Sequence, residues 1–186
     1  MTGTPAAAII DRAGLDALIR TLTEQGRTVI GPTVRDGAVV LAELSGGDEL
    51  PYGWGAELEA GRYRLVPRTD GAAFTHTAGP HSWKAYLHPE REKVWQADRT
   101  SDGEIRYETS RTEQPSYAFL GVRPCDLRAI ALQDRVLTGG RFQDARYHER
   151  RGGGRVVAAG GAEPAGAACC PPGGARPPPT PDSISR

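Results

Sequence analysis

Cys125 is the residue whose position most favours chemistry. It follows the apolar run Tyr117–Val122, which has the character of a buried strand, and precedes an amphipathic segment that begins at Asp126. Cys125 is therefore predicted at a strand-to-helix turn, at or next to a helix N-terminus. Unpaired backbone N–H groups there lower the pKa of a thiol and favour the thiolate that binds metals or attacks electrophiles. An isolated cysteine is nevertheless more often a small buried apolar residue, and one cysteine holds no cluster.

Other candidates are weaker when taken singly. Lys84 is predicted one helical turn after a Gly-Pro turn, where a lysine meets a cofactor phosphate or, more commonly, only solvent. Cys169 and Cys170 are adjacent, but an iron–sulfur cluster needs four ligands in a folded cradle. The four histidines show no metal-site spacing, and the chain contains neither a phosphate loop nor a dinucleotide-binding fingerprint.

The overall composition excludes several classes of partner. Twenty-three basic residues balance 23 acidic ones, so no net charge favours nucleic acid or an anionic membrane. No apolar run approaches the length of a membrane span, and the first eight residues lack the pattern of a secretory signal. Three cysteines, two of them adjacent, do not form a disulfide framework. These features predict a cytoplasmic protein that binds neither nucleic acid nor membrane.

The composition changes near residue 151 and divides the chain into two unequal parts. The segment 151–186 holds 8 of the 24 glycines and 7 of the 15 prolines, and it has no later apolar run able to bury a face. Such a segment does not offset the entropy of ordering its backbone. We therefore predict a folded domain over 1–157 and a disordered tail over 158–186.

The elements that position Cys125 follow from local signals. The first half is predicted to contain a helix from Asp11 to Gly26, a strand Thr28–Ile30 ending at Gly31-Pro32, a hairpin turned at Asp36-Gly37, a loop over Leu50–Gly61 and a strand Arg62–Arg68. The second half is predicted to contain a short helix after Ser82, a hairpin turned at Ser101–Gly103, the strand Tyr117–Val122, helices Asp126–Leu137 and Asp144–Arg150, and a strand Arg155–Ala159. This order predicts an α+β fold, with a mixed sheet, hairpins and a C-terminal strand–helix–strand unit.

Several stretches together resemble one family. They are Gly31–Val39, Leu50–Trp54, Gly61–Leu65, Gly79–Lys84 and Gly121–Ile130, the last containing Gly-Val-Arg-Pro-Cys-Asp. In this order they are similar to the N-terminal part of the iron–sulfur beta subunit of bidirectional nickel–iron (sulf)hydrogenases and of the related A subunit of anaerobic sulfite reductase. The resemblance covers about residues 10–157.

The resemblance implies cofactors and partners. Members of the family are longer and carry a ferredoxin-like module with two four-iron–four-sulfur clusters. They pass electrons between a flavin subunit that uses NAD(P)H and the catalytic subunits of the hydrogenase or sulfite reductase. The resemblance further implies that Cys125 and Asp126 lie at the edge of a redox centre, with Arg123 and Lys84 as charge partners.

The tail departs from the family pattern. Cys170 aligns with the second cysteine of the family's Cys-x-Cys, so Cys125 and Cys170 are the candidate metal ligands. Gly161 and Ala168 stand where further cysteines are expected, which leaves two of four ligands. A frameshifted or decayed coding region is one explanation.

The leading interpretation is a truncated electron-transfer subunit that lacks complete clusters of its own. It is expected to act as a docking component for a redox partner rather than as an enzyme by itself. Two alternatives remain open: a standalone binding or regulatory domain, and a thiol-dependent enzyme with Cys125 as nucleophile.

Overall fold

The computed structural model describes residues 10–76, 81–109 and 115–158. Its helices are α1 Arg12–Glu24, α2 Lys84–Leu87, α3 Pro124–Thr138 and α4 Ala145–Gly153, with a 3₁₀ turn at Gly47–Glu49. Its strands are β1 Thr28–Arg35, β2 Ala38–Glu43, β3 Trp54–Glu59, β4 Arg62–Pro67, β5 Trp95–Arg99, β6 Ile105–Thr109, β7 Tyr117–Val122 and β8 Arg155–Ala158. In the part of the chain that the structure describes, no helix combines the length and apolar character needed to cross a membrane.

A mixed four-stranded sheet, ordered β2-β1-β7-β8, forms the centre of the molecule. Strand β1 is antiparallel to β2 and parallel to β7, while β7 and β8 are parallel neighbours joined through α3 and α4. Two separate antiparallel hairpins, β3–β4 and β5–β6, accompany it. The predicted α+β class, with a C-terminal strand–helix–strand unit, is confirmed.

The core lies on both faces of the central sheet. One apolar cluster includes Ile19 of α1 with Ala118 and Leu120 of β7. The other includes Phe119 and Val122 of β7 together with residues of α2, α3 and α4. Burial on both faces is expected for a strand that lies between parallel neighbours in a sheet covered by helices.

Gly121 explains why the side chain of Val122 departs from the regular alternation between the two faces of β7. Side chains two apart in a strand share a face, so Val122 would lie with Leu120 in a regular strand. The register with β8 shifts between Leu120 and Val122, and Gly121 has φ +83°. The irregularity turns Val122 to the face that carries Phe119, directly before the chain enters α3.

The local signals for α1 and the first turn are confirmed. The Asp11 side chain accepts the N–H of Gly14 at 2.8 Å and caps α1. Asp36 and Gly37 have φ of +50° and +73°, the left-handed pair that a tight hairpin turn requires.

The predicted end of the first strand is wrong. Strand β1 continues through Gly31 and Pro32 to Arg35. Its pairing with β7 ends at Ile30, so from Gly31 onward β1 is paired only with β2. Proline, which lacks an N–H, is tolerated where one side of a strand is unpaired.

The predicted loop over Leu50–Gly61 is also wrong, because half of it forms β3 and pairs with β4. Pro51, Gly53 and Gly55, on which the loop prediction is based, obscured the strand. Gly55 lies within it for a packing reason, since a Cβ there would come within 2.9 Å of the Arg68 side chain. Gly61, with φ +72°, forms the turn into β4.

The remaining boundaries differ by a few residues. The second hairpin is confirmed as β5–β6, and α4 extends past Arg150 to Gly153. Ala158, the first residue of the predicted tail, ends β8, and the rest of that tail, with Cys169 and Cys170, lies outside the described residues. Gly79 and Pro80 of the predicted turn before α2 lie outside them as well.

Candidate functional site

The site is built around the start of α3, two residues earlier than predicted. Arg123 is extended, Pro124 occupies the first helical position, and Cys125 is the second helical residue, half-buried in the first turn. The Asp126 carboxylate accepts the N–H of Arg123 at 3.3 Å and caps the helix. Three of the predicted site residues, Arg123, Cys125 and Asp126, are therefore placed together at this end.

Arg123 connects this helix end to a distant loop. Its guanidinium donates a hydrogen bond to the backbone carbonyl of His76, which is 47 positions away in the chain. Burial lowers the pKa of Arg123, whereas the charges of Asp126 and Cys125 oppose that shift. The guanidinium nevertheless keeps its proton at neutral pH, as arginine does in proteins.

His76 is the buried titratable group of the site. Only 8 % of it is exposed, and its Nδ1 has no hydrogen-bond partner in the described part of the chain. Burial, reinforced by the positive charge of Arg123, lowers the pKa of His76 to about 4. The imidazole is therefore neutral at physiological pH, because its charged form is disfavoured twice.

A small cleft lies between these groups. His76, His81, Trp83, Arg123 and Asp126 line it, together with Gly121 and parts of β1 and β2. Its cavity volume of about 40 Å³ exceeds the roughly 10–15 Å³ that one water molecule needs, so the cleft is large enough to admit water beside His76.

Lys84 does not join the site. It begins α2, its backbone N–H donates to the Ser82 hydroxyl at 3.2 Å, and its side chain is exposed and does not line the cleft. The short helix is fixed instead through Trp83, which is 4 % exposed and meets the ring of Phe119 edge-on at 5.2 Å. The predicted charge pairing of Lys84 with the Cys125 edge is therefore not formed in the structure.

The described residues do not fit a four-iron cluster. Such a cluster takes four thiolate ligands, and Cys125 is the one cysteine among residues 10–76, 81–109 and 115–158. Within the same residues, no group of three or more His, Cys, Asp or Glu side chains has the geometry of a metal site. Cys170, the second candidate ligand, lies outside the described residues.

Cys125 also begins an exposed line of side chains on α3. Positions 7 and 11 residues further along a helix return to within about 20° of the same direction, so Leu132 and Val136 share its face. Leu132 is 58 % and Val136 is 68 % exposed. We refer to Cys125, Arg128, Leu132 and Val136 as the α3 stripe.

The opposite side of α3 is anchored. Ile130 is buried in the core cluster that contains Phe119, and Leu127 and Leu137 pack against the same cluster. The Tyr147 hydroxyl of α4 donates to the Asp134 carboxylate at 2.7 Å. The α3 stripe is therefore held on a helix whose inner side is fixed.

A wider groove of about 980 Å³ lies between α1 and the 3₁₀ turn. Its charged groups are engaged locally: Asp16 pairs with Arg20 at 3.0 Å and accepts the N–H of Gly47 at 2.9 Å. The Arg12 guanidinium lies 4.2 Å from the centre of the Tyr52 ring. Asp16, Arg20 and Arg12 therefore already have protein partners, whereas the hydroxyl of Tyr52, which also lines the groove, is buried and has no hydrogen-bond partner in the described part of the chain.

Sequence reasoning missed His76. Neither its spacing nor its neighbours signal a contact with Arg123, since the two meet only when a loop folds back over the end of β7. Its solvent exclusion likewise depends on tertiary packing.

No protein-family model, curated protein or solved structure matches this chain.

Proposed function

We propose that this chain is a docking domain of a cytoplasmic electron-transfer assembly. Its partner is a flavin subunit that uses NAD(P)H, or a catalytic subunit of a nickel–iron hydrogenase or sulfite reductase. Two independent features support this proposal: the family-like segments that end in Gly-Val-Arg-Pro-Cys-Asp, and the α3 stripe. The number and placement of its cysteines support the cytoplasmic location.

The exposed α3 stripe is the observation that carries the proposal. Leu132 and Val136 present branched apolar side chains on successive turns, both more than half exposed. Large apolar side chains grouped on one exposed helix face are a feature of interaction sites in soluble proteins. The helix is already packed on its inner side, so it meets a partner without reorganisation, which lowers the entropic cost of binding.

Each residue at the helix start has a positioning role in this proposal. Asp126 caps α3 and Arg123 fixes its start to the His76 loop. Cys125 stands at the end of the stripe nearest to these charges. In the resembled family, iron–sulfur clusters and flavin carry the electrons. Because the described residues do not supply a cluster's ligand set, the electron carriers in this proposal belong to the partner subunits.

The test is a binding measurement with a matched control. The double variant Leu132→Glu/Val136→Glu places two carboxylates on the stripe, whereas Ile10→Glu/Val94→Glu changes two apolar residues of similar exposure elsewhere. Titration calorimetry against a purified hydrogenase flavin subunit is expected to show about tenfold or greater weakening for the stripe variant. The control is expected to bind as the wild type does. Equal affinity of both variants, or no binding by the wild type, would exclude docking through α3.

Thiol chemistry at Cys125 is the second candidate. The supporting observation is its position in the first turn of a 15-residue helix, beside the Arg123 cation. Both features favour a thiolate. Alkylation with iodoacetamide at neutral pH, followed by peptide mass spectrometry, tests it, with Cys169 and Cys170 as internal references. A Cys125 that reacts no faster than those two would exclude an activated thiolate.

A further inference from the structure

The β5–β6 hairpin has a solvent exposure unlike that of the central sheet. All five residues of β6 are exposed, and within the described residues the two strands pair only with each other. A two-stranded hairpin is at best marginally stable alone in water. One of its faces is nevertheless largely apolar, carrying Trp95, Ala97, Ile105 and Tyr107 together with Arg99 and Thr109.

The backbone of β6 presents hydrogen-bonding groups to its outer edge. The Thr100 N–H donates to the Glu104 carbonyl at 2.9 Å, which makes this pair the hydrogen-bonded pair that closes the hairpin. Hydrogen-bonded and non-hydrogen-bonded pairs alternate along an antiparallel ladder. Counting along the register, the N–H and C=O groups of Ile105, Tyr107 and Thr109 point away from β5.

The outer edges of the two strands differ. At the start of β5, the Arg146 guanidinium of α4 donates to the carbonyls of Lys93 and Val94 at 2.9 and 3.2 Å. That end of β5 is therefore already in contact with the body of the protein. No described residue makes a comparable contact with the outer edge of β6. An edge of this kind is a template for pairing with another strand.

We propose that β6 pairs antiparallel with β6 of a second copy of this chain, about a twofold axis through Tyr107. The two hairpins then form one four-stranded sheet. The twofold places each Arg106 opposite Glu108 of the other copy and each Ile105 opposite Thr109. Because Tyr107 carries the outward backbone groups, it forms a hydrogen-bonded pair with its own copy, and the Arg106–Glu108 pairs occupy the intervening positions, where side chains come closer.

Charge complementarity identifies the occupant as a second copy. The β6 sequence Ile-Arg-Tyr-Glu-Thr has opposite charges on either side of its central residue. Arg106 lies opposite Asp98 of β5 in the hairpin register but forms no ion pair with it or with any other described residue, and the Glu108 carboxylate accepts, among these residues, only from the amide of Gln96, at 3.2 Å. The same operation on β5 would place Gln96 against Asp98, which gives no opposite-charge pair. An isologous interface therefore suits β6 and not β5.

The test is a charge exchange on the full chain, read by sedimentation velocity. We expect the wild type to dimerise. Glu108→Arg would place two arginines opposite each other and weaken the dimer by about tenfold or more, since like charges directly opposite are destabilising. Asp98→Asn/Arg106→Glu/Glu108→Arg restores opposite charges across the dimer without placing a glutamate at position 106 against Asp98 within the hairpin, and is expected to restore the dimer. Asp102→Arg, which makes the same kind of charge change in the turn and outside the paired positions, is the matched control and should remain dimeric.

Several outcomes would overturn this inference. These are a monomeric wild type at about 100 µM, where a micromolar dimer is almost fully formed, a dimer that tolerates Glu108→Arg, a triple variant that fails to recover while its circular dichroism is unchanged, or a monomeric Asp102→Arg. Each is independent of binding to the flavin subunit, so this test and that of α3 docking fail separately.

Discussion

Strands β7 and β6 have similar lengths, six and five residues, but β7 is almost entirely apolar whereas β6 alternates apolar with charged side chains, and their environments are opposite. Strand β7 lies between β1 and β8, and Phe119 at its centre is 1 % exposed. Strand β6 has only β5 beside it, and Tyr107 at its centre is 68 % exposed. Both segments form strands, but apolar side chains become buried only where neighbouring strands and covering helices exclude water from them. We propose that the exposed apolar side chains of β6 and of the α3 stripe are covered by partner molecules.

The largest expected difference between the two strands is in how much a substitution at the centre of each one lowers the free energy of unfolding. Phe119→Ala removes a ring that packs against Trp83, Tyr86 and Tyr117, and is expected to lower the free energy of unfolding by about 3–5 kcal/mol. Tyr107→Ala, measured on dilute monomer, is expected to cost about 1 kcal/mol or less, because that ring is mostly in water already. Urea unfolding of both variants measures the contrast. Equal losses would mean that the hairpin belongs to the core.

Lowering the pH is expected to reduce the free energy of unfolding through His76, which is buried beside the central sheet. Its pKa is about 4 in the folded protein and near 6.5 in the unfolded chain, so the unfolded state binds more protons between these values. The free energy of unfolding is therefore unaffected by this group above pH 6.5. It falls as the pH decreases towards 4, by about 3 kcal/mol in total.

The variant His76→Gln removes this group and should flatten the pH dependence of urea unfolding in that window. His81→Gln, at the exposed side of the same cleft, is the control and should leave the slope unchanged. A wild-type slope that survives in His76→Gln would contradict the assignment.

A smaller difference is expected between alanine substitutions at two glycines that both have a positive φ. Gly121 of β7 and Gly103 of the hairpin turn have φ of +83° and +85°. A Cβ at Gly121 would come within 2.8 Å of the Phe74 ring, whereas a Cβ at Gly103 meets nothing within 4 Å. A positive φ strains alanine at either position, and only Gly121→Ala adds the clash with Phe74, so it is expected to lose about 1–3 kcal/mol more than Gly103→Ala. Thermal unfolding of the pair gives this difference, and equal losses would show that Phe74 moves aside freely.

The sequence predicts those parts of the fold that depend on local signals. The bounds of β7 agree with the prediction, as do the Asp11 cap and the Asp36-Gly37 turn, since each depends on residues within a few positions. Strand β3 was missed because Gly53 and Gly55 suggest a loop when their packing partners are unknown.

The same distinction holds for the site. Arg123, Cys125 and Asp126 are adjacent in the chain, so their grouping at a helix start was predictable. The contact of Arg123 with His76 was not, because it spans 47 positions and depends on a loop folding over the sheet. Lys84 was expected beside them, but α2 leaves its side chain in solvent.

The most direct test of docking through α3 is the alkylation rate of Cys125 with and without the flavin subunit. Cys125 heads the α3 stripe, so a partner seated there covers its thiol. With iodoacetamide and peptide-resolved mass spectrometry, we expect complex formation to slow Cys125 labelling about tenfold or more, as burial at an interface limits access. An unchanged rate at Cys125 in a complex whose formation is verified by sedimentation would contradict docking through this face.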